Sequence, residues 1–414
     1  MGPIAIFDKS ALESLNPDEA VWLDCFYQTN ITPLFYVETL ADLYKGMRKG
    51  RSPEQVVGSI AYKTPDFGIE LNIHHLSLCI NDLLGYPVRM NGYPVVAGFR
   101  SVMTGDQMGL VLERAREIEA FERWQKGEFL DLERQIAKQW RQGLSSLDPH
   151  LIIKDLGVRE QQIKLDKREV KSLVDRAVRG ERKRFGALKA ALETQGVPEN
   201  LRDRIIRRWK SEGGPPLITF APYAAHVFSV DMFISIGLAT GVISPGRPSN
   251  IIDLAYLYYL PFCMVFISGD KLHRKIAPLF LRKDQDFIWS PELKADLMKL
   301  DAHFSAFPES VKAEGLFAFA SWPPEDMGFL TTRLWDRHLP AWREILANEK
   351  KRAPSSNEEH ERLMAKLNEM DAAQPTERQV TIEEARFVKS ERYVPISKGK
   401  WRLLPPGVEA SREN

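Results

Sequence analysis

The stretch "SNIIDLAYLYYLPFCMVFISGDK", residues 249–271, decides how this chain is read. Its first half has the length and composition of a buried helix, which Pro261 ends by removing a backbone donor. Residues 262–268 then form a short apolar run, the mark of a strand covered on both faces in a parallel sheet. Two carboxylates break the pattern. Asp253 lies where every other residue of 251–260 is Ile, Leu, Ala or Tyr, and Asp270 closes the strand. An unpaired carboxylate among apolar side chains costs several kcal/mol, so both need a partner.

Working outward, the same arrangement recurs at the start of the chain. "PIAIF" (3–7) reads as a buried strand and ends on Asp8. "ITPLFYVETLADLYKGM" reads as a helix with Thr32 as N-cap and Pro33 at its first position. Leu34, Val37 and Ala41 mark its inward face, and Glu38 lies on that same face. A buried helix is expected over about 222–240, followed by the turn "SPGRPSN" (244–250). Strands alternating with helices predict an α/β fold with a mainly parallel sheet. In such sheets the side chains at the carboxyl ends of the strands converge on one crevice.

Four acids, Asp8, Glu38, Asp253 and Asp270, therefore occupy places from which cores exclude charge, without matched bases evident in their own segments. Hard divalent cations take oxygen ligands of this kind. Their order and setting resemble the PIN-domain nuclease family, on "IAIFDKSAL", "TPLFYVETL", "SNIIDLAYLYYLP" and "VFISGDKLH", with "GLATGVIS" before the turn. The resemblance covers about 1–46 and 221–290. It implies a three-layer α/β sandwich and Mg²⁺- or Mn²⁺-dependent phosphodiester hydrolysis, with RNA as the substrate. It also implies that Asp8, Asp253 and Asp270 are direct ligands, and that Glu38 is a ligand or orients a metal-bound water. Ser10 and Ser268 would support them through hydroxyl hydrogen bonds. Asp231, in "FSVDMFISI", is a further buried-looking acid, read either as support for the site or as a satisfied core group. The alternative function is a catalytically silent PIN-like protein that binds nucleic acid or scaffolds a partner.

The resemblance leaves about 175 residues between its two halves. The expected organisation is a discontinuous α/β domain (1–46 and 221–345), a mostly helical insertion (47–220), and a polar linker and tail (346–414). Helix is expected over 106–143 and 150–212. Within 179–210, ten Lys and Arg stand against four acids, a local balance of +6. Arg204, Arg207 and Arg208 are the candidates there for contact with a phosphate backbone, set against the plainer reading of a solvated helical face.

Composition adds bounds. The 414 residues are 44% hydrophobic and 27% charged, with net charge +1, an ordinary globular balance. Cys25, Cys79 and Cys263 are far apart and odd in number, which predicts buried free thiols and no zinc site. "MGPIAIFDKS" lacks a basic, then apolar, leader, and no uncharged apolar run reaches about 18 residues, so a cytoplasmic protein without a membrane span is expected. His74 and His75 are adjacent and point apart on a regular element, so they are not expected to share a metal. His273 is expected at the surface or in a groove.

Overall fold

The computed structural model describes residues 2–41, 43, 50–67, 70–96, 99–104, 107–112, 116–146, 165–179, 183–247, 249–351, 357–373, 376, 385–390 and 394–407. Its centre is an all-parallel sheet of β1 (Ile4–Phe7), β2 (Gln28–Ile31), the two-residue β3 (Glu70–Leu71), β6 (Val265–Ser268) and β7 (Asp286–Trp289). The order is β3-β2-β1-β6-β7. A smaller sheet joins β4 (Phe99–Thr104), β5 (Gln107–Leu112) and β8 (Phe387–Ser390), and β9 (Ser397–Lys398) pairs with β10 (Trp401–Arg402).

β1 is "IAIF" and all four residues are buried. Its pleat alternates between two cores. Ile6, beside Phe266 of β6, joins a core built with the helices Pro222–Ala239, His75–Leu84 and Lys167–Arg179. Ala5 and Phe7, beside Val265 and Ile267, join a second core with Pro17–Phe26, Pro33–Ala41 and Ser290–Ser305. Helices thus cover both faces, the condition for an all-parallel sheet, and the α/β expectation is met in that form. Pro222–Ala239 is apolar enough to cross a membrane, yet 61% of its most apolar window is buried inside the protein, as befits a core helix.

Several local readings change. Residues 107–112 form β5 rather than helix, because they pair with β4 and, across more than 270 positions, with β8. The helix Pro33–Ala41 starts where expected, but the buried Thr32 hydroxyl makes no hydrogen bond. Segment 47–220 contributes β3 to the central sheet and helices to both cores. The boundary at 46/47 lies outside the described residues. The end of the chain is not a loose polar tail over 394–404. Trp401 is buried edge-on against Trp22, with ring centroids 4.7 Å apart, and Lys398 is buried in an ion pair with Asp66.

Candidate active site at the switch point of the sheet

Strand order reverses between β1 and β6, so the chain leaves the two adjacent strands toward opposite faces of the sheet, the place where open α/β sheets bind ligands. Asp8 follows β1, and Ser268, Gly269 and Asp270 close β6. Asp8 is buried and caps the helix Lys9–Ser14, its Oδ1 accepting the Ala11 N–H at 2.8 Å. The Ser10 hydroxyl lies 2.9 Å from both Asp8 oxygens. The Ser268 hydroxyl donates to Oδ2 at 2.6 Å. Ser10 and Ser268 thus support Asp8. Ser10 Oγ also accepts the Gly269 N–H at 3.1 Å, and Ser268 Oγ accepts the Asp270 N–H at 2.9 Å, which ties the two strand ends together.

The cation facing Asp8 is His273, which is only 1% exposed. This corrects its placement at the surface. Its Nδ1 donates to Ser268 Oγ at 2.8 Å and lies 3.3 Å from Asp8 Oδ2, and its Nε2 donates to the Asp253 carbonyl at 2.5 Å. Burial pulls the His273 pKa down, but the hydrogen bond and charge of Asp8, aided by the Asp253 carbonyl and the Asp270 charge, outweigh it and lift the pKa to about 9. Burial raises the Asp8 pKa, and His273, Ser268 and the Ala11 N–H more than offset this, leaving it below the ordinary value. The pair is therefore imidazolium and carboxylate near neutral pH.

Glu38 accepts the Tyr256 hydroxyl at 2.7 Å. Burial, with repulsion from Asp8 and Asp253, raises its pKa to about 7 against the opposing effects of Lys9 and Tyr256. Asp8, Glu38 and Asp253 thus act on one another's charge. Asp270 is half-buried and caps the helix Lys271–Ile276, its Oδ1 accepting the Leu272 N–H at 2.5 Å, and its charge acts on His273. Electrostatics thus link Glu38 to Asp8 and Asp253, and His273 links Asp8 to Asp270.

Two bases that the sequence reading missed counter them: His273, and Lys9, which is 3% exposed and pairs with Glu13 at 2.9 Å. Both were in view, three positions past Asp270 and one past Asp8.

Asp231 sits elsewhere. Its partner is the Tyr258 hydroxyl at 2.5 Å, and burial lifts its pKa to about 7 despite that hydrogen bond. It is a core acid rather than a support for Asp8. Arg208 is corrected as a nucleic-acid contact. It donates to the carbonyls of Asp82 at 3.1 Å and Leu83 at 2.9 Å, pairs with Glu212, and stacks on Phe220, so it binds the helix Glu199–Ser211 to its neighbours. Arg204 and Arg207 are exposed on that helix.

The donor types suit a hard cation, since every carboxylate offers oxygen. The arrangement itself is not closed around one. Among the described residues no three His, Cys, Asp or Glu stand together as a metal-holding group. Asp8 already has five hydrogen-bond contacts from four donor groups. Glu38, Asp253 and Asp270 are the half-exposed members that could turn toward an ion.

The chain matches no known family model, no curated protein and no solved structure.

Gly269 fits this site tightly. A Cβ there would lie 2.9 Å from Ser10 Oγ. Gly269→Ala is expected to push that hydroxyl off Asp8 and to cost about 1–2 kcal/mol. Chemical denaturation checks it: the cost should shrink in a Ser10→Ala background, and an equal cost in both would place the strain elsewhere.

Proposed function

We propose that the crevice is a PIN-like phosphodiesterase site acting on RNA with Mg²⁺ or Mn²⁺. The observation that supports this reading is that Asp8 and Asp270 close β1 and β6 at the switch point of the sheet, while Glu38 feels the charges of Asp8 and Asp253. Glu38, Asp253 and Asp270 would hold the ion. When bound, it would supply an activated water and neutralise charge on the scissile phosphate. Asp8 is held in place by Ser10, Ser268 and His273. Burial and the neighbouring carboxylates lift the Glu38 pKa to about 7, and a bound cation would relieve that strain and hold the carboxylate ionised.

Thermal melts with and without millimolar Mn²⁺, run beside cleavage of a single-stranded RNA, test this. A ligand held only by the folded state raises the melting temperature. Both the shift and the cleavage should vanish in Asp253→Asn while the metal-free melt stays equal or rises, because one of several repelling carboxylates is gone. A second reading is a catalytically silent protein of the same form, favoured by the neutralisation of the acids by His273 and Lys9. A wild-type melt unmoved by Mn²⁺, no cleavage, and a destabilised Asp253→Asn would select it.

A further inference from the structure

Resting on that reading, we propose that a basic lip formed by Lys271, Arg274 and Lys275, with Lys167 and Trp289, binds the backbone and a base of single-stranded nucleic acid beside the crevice. The helix Lys271–Ile276 starts on Asp270, so its cations begin one residue from the acidic site. Lys271, Arg274 and Lys275 are exposed, and none has an acidic partner among the described residues. The side chain of Lys167, from the helix Lys167–Arg179, reaches across and donates to the Lys275 carbonyl at 2.9 Å, adding a fourth cation. Trp289 is the last residue of β7 and pairs with Ser268, so it too stands at the carboxyl edge. The Arg274 guanidinium lies 4.9 Å from the centre of its ring.

Clustered Lys and Arg contribute affinity for any phosphate backbone. An aromatic ring with a stacked arginine adds a surface for an unpaired base, which a duplex does not offer. The acids of the crevice would repel a polyanion approaching alone. Cations on one rim offset that repulsion and direct the strand past the carboxylates. Arg204 and Arg207 are exposed on the helix Glu199–Ser211, which follows neither β1 nor β6 in the chain.

Binding of fluorescent 12-residue single-stranded RNA and DNA oligonucleotides to the full chain, measured across a salt series, tests the lip. Lys271→Ala/Arg274→Ala/Lys275→Ala should lower the slope of log affinity against log salt by about two to three units. Trp289→Ala should weaken binding roughly tenfold. Lys189→Ala/Lys299→Ala/Lys351→Ala removes the same charge from exposed positions outside the lip and should leave the slope almost unchanged. Comparing RNA with DNA shows whether the 2′-hydroxyl contributes. Wild-type protein that binds neither oligonucleotide, or a lip triple variant that binds like wild type, overturns the lip. Wild-type binding lost in the lip variants, without cleavage by any of them, upholds the lip and overturns the hydrolase.

Discussion

Between pH 7 and pH 9 the folded protein is expected to lose about 2 kcal/mol of stability through His273 alone. The folded-state pKa of this histidine is raised, to about 9 against an ordinary 6.5. A group of that kind stabilises fully below its unfolded value, and its contribution disappears as pH rises through the folded one. His273 is fully buried, so solvent screening does not reduce the effect. The other buried carboxyls and histidines act outside this window, whereas Cys25, Cys79 and Cys263, whose thiols burial pushes above the ordinary 9.0, begin to disfavour the fold as pH nears 9. Glu38, Asp24 and Asp231 have pKa values raised to about 7, so their opposition to ionisation develops between about pH 4 and 7. His226, lowered to about 4 by burial, and His75, lowered to about 3 by burial and the charge of His74, disfavour the fold only on the acid side of 6.5. Urea midpoints at pH 7, 8 and 9 should therefore fall steadily for the wild type. His273→Gln should start lower, because buried Asp8 loses its cation, and should then stay almost flat from pH 7 to 8, falling toward pH 9 only as the unfolded chain's thiols ionise. A wild-type profile that is level from pH 7 to 9 would mean that His273 is neutral in the fold and that Asp8 is held by its serines.

The parts of the site that were legible in the sequence are those fixed by short-range pattern. "IAIF" and "VFIS" are continuous apolar runs, so they read as doubly covered strands, and the acids that end them had to lie at one edge of the sheet. Asp8 and Asp270 also cap the helices that follow, so the plain capping reading and the site reading describe the same two side chains. That the counter-charges point inward was not legible. Whether Lys9 and His273 point inward depends on what packs over them. Tyr256 and Phe266 close on His273 from segments whose contact no local period reveals. β3 has two residues and no apolar run, so it exists only because Asn30 and Ile31 offer it an edge. β5 carried an apolar run that fits either period, and its pairing with β8 spans most of the chain. Trp401 lies in a polar setting that reads as a tail until Trp22, Phe319 and Asp301 are brought to it.

Lys398→Met is expected to cost about 3–5 kcal/mol at pH 8, the range for removing one partner of a buried charge cluster. Lys398 is 2% exposed and lies beside two buried carboxylates, Asp66 and Asp24. It forms an ion pair with Asp66 and donates to the Thr64 carbonyl at 2.8 Å. Asp24 in turn accepts the Asp66 N–H at 2.6 Å and the Phe67 N–H at 3.1 Å. Burial and the charge of Asp66 raise the Asp24 pKa to about 7 even with the lysine present. Without Lys398 both acids meet the same repulsion with nothing to balance it, and the fold can keep them only by binding protons. The cost should therefore shrink as pH falls from 8 toward 5, the sign set by two acids whose folded pKa values lie above their unfolded ones. Asp66→Asn added to Lys398→Met should recover much of the loss, since it removes the charge left unpaired. The hairpin that carries Lys398 also carries Trp401, so tryptophan fluorescence would report whether it leaves its place against Trp22 when the ion pair is broken. A cost below about 1 kcal/mol that is independent of pH would mean that the carboxylates are already neutral in the fold and that aromatic packing around Trp401 alone keeps the chain end in place.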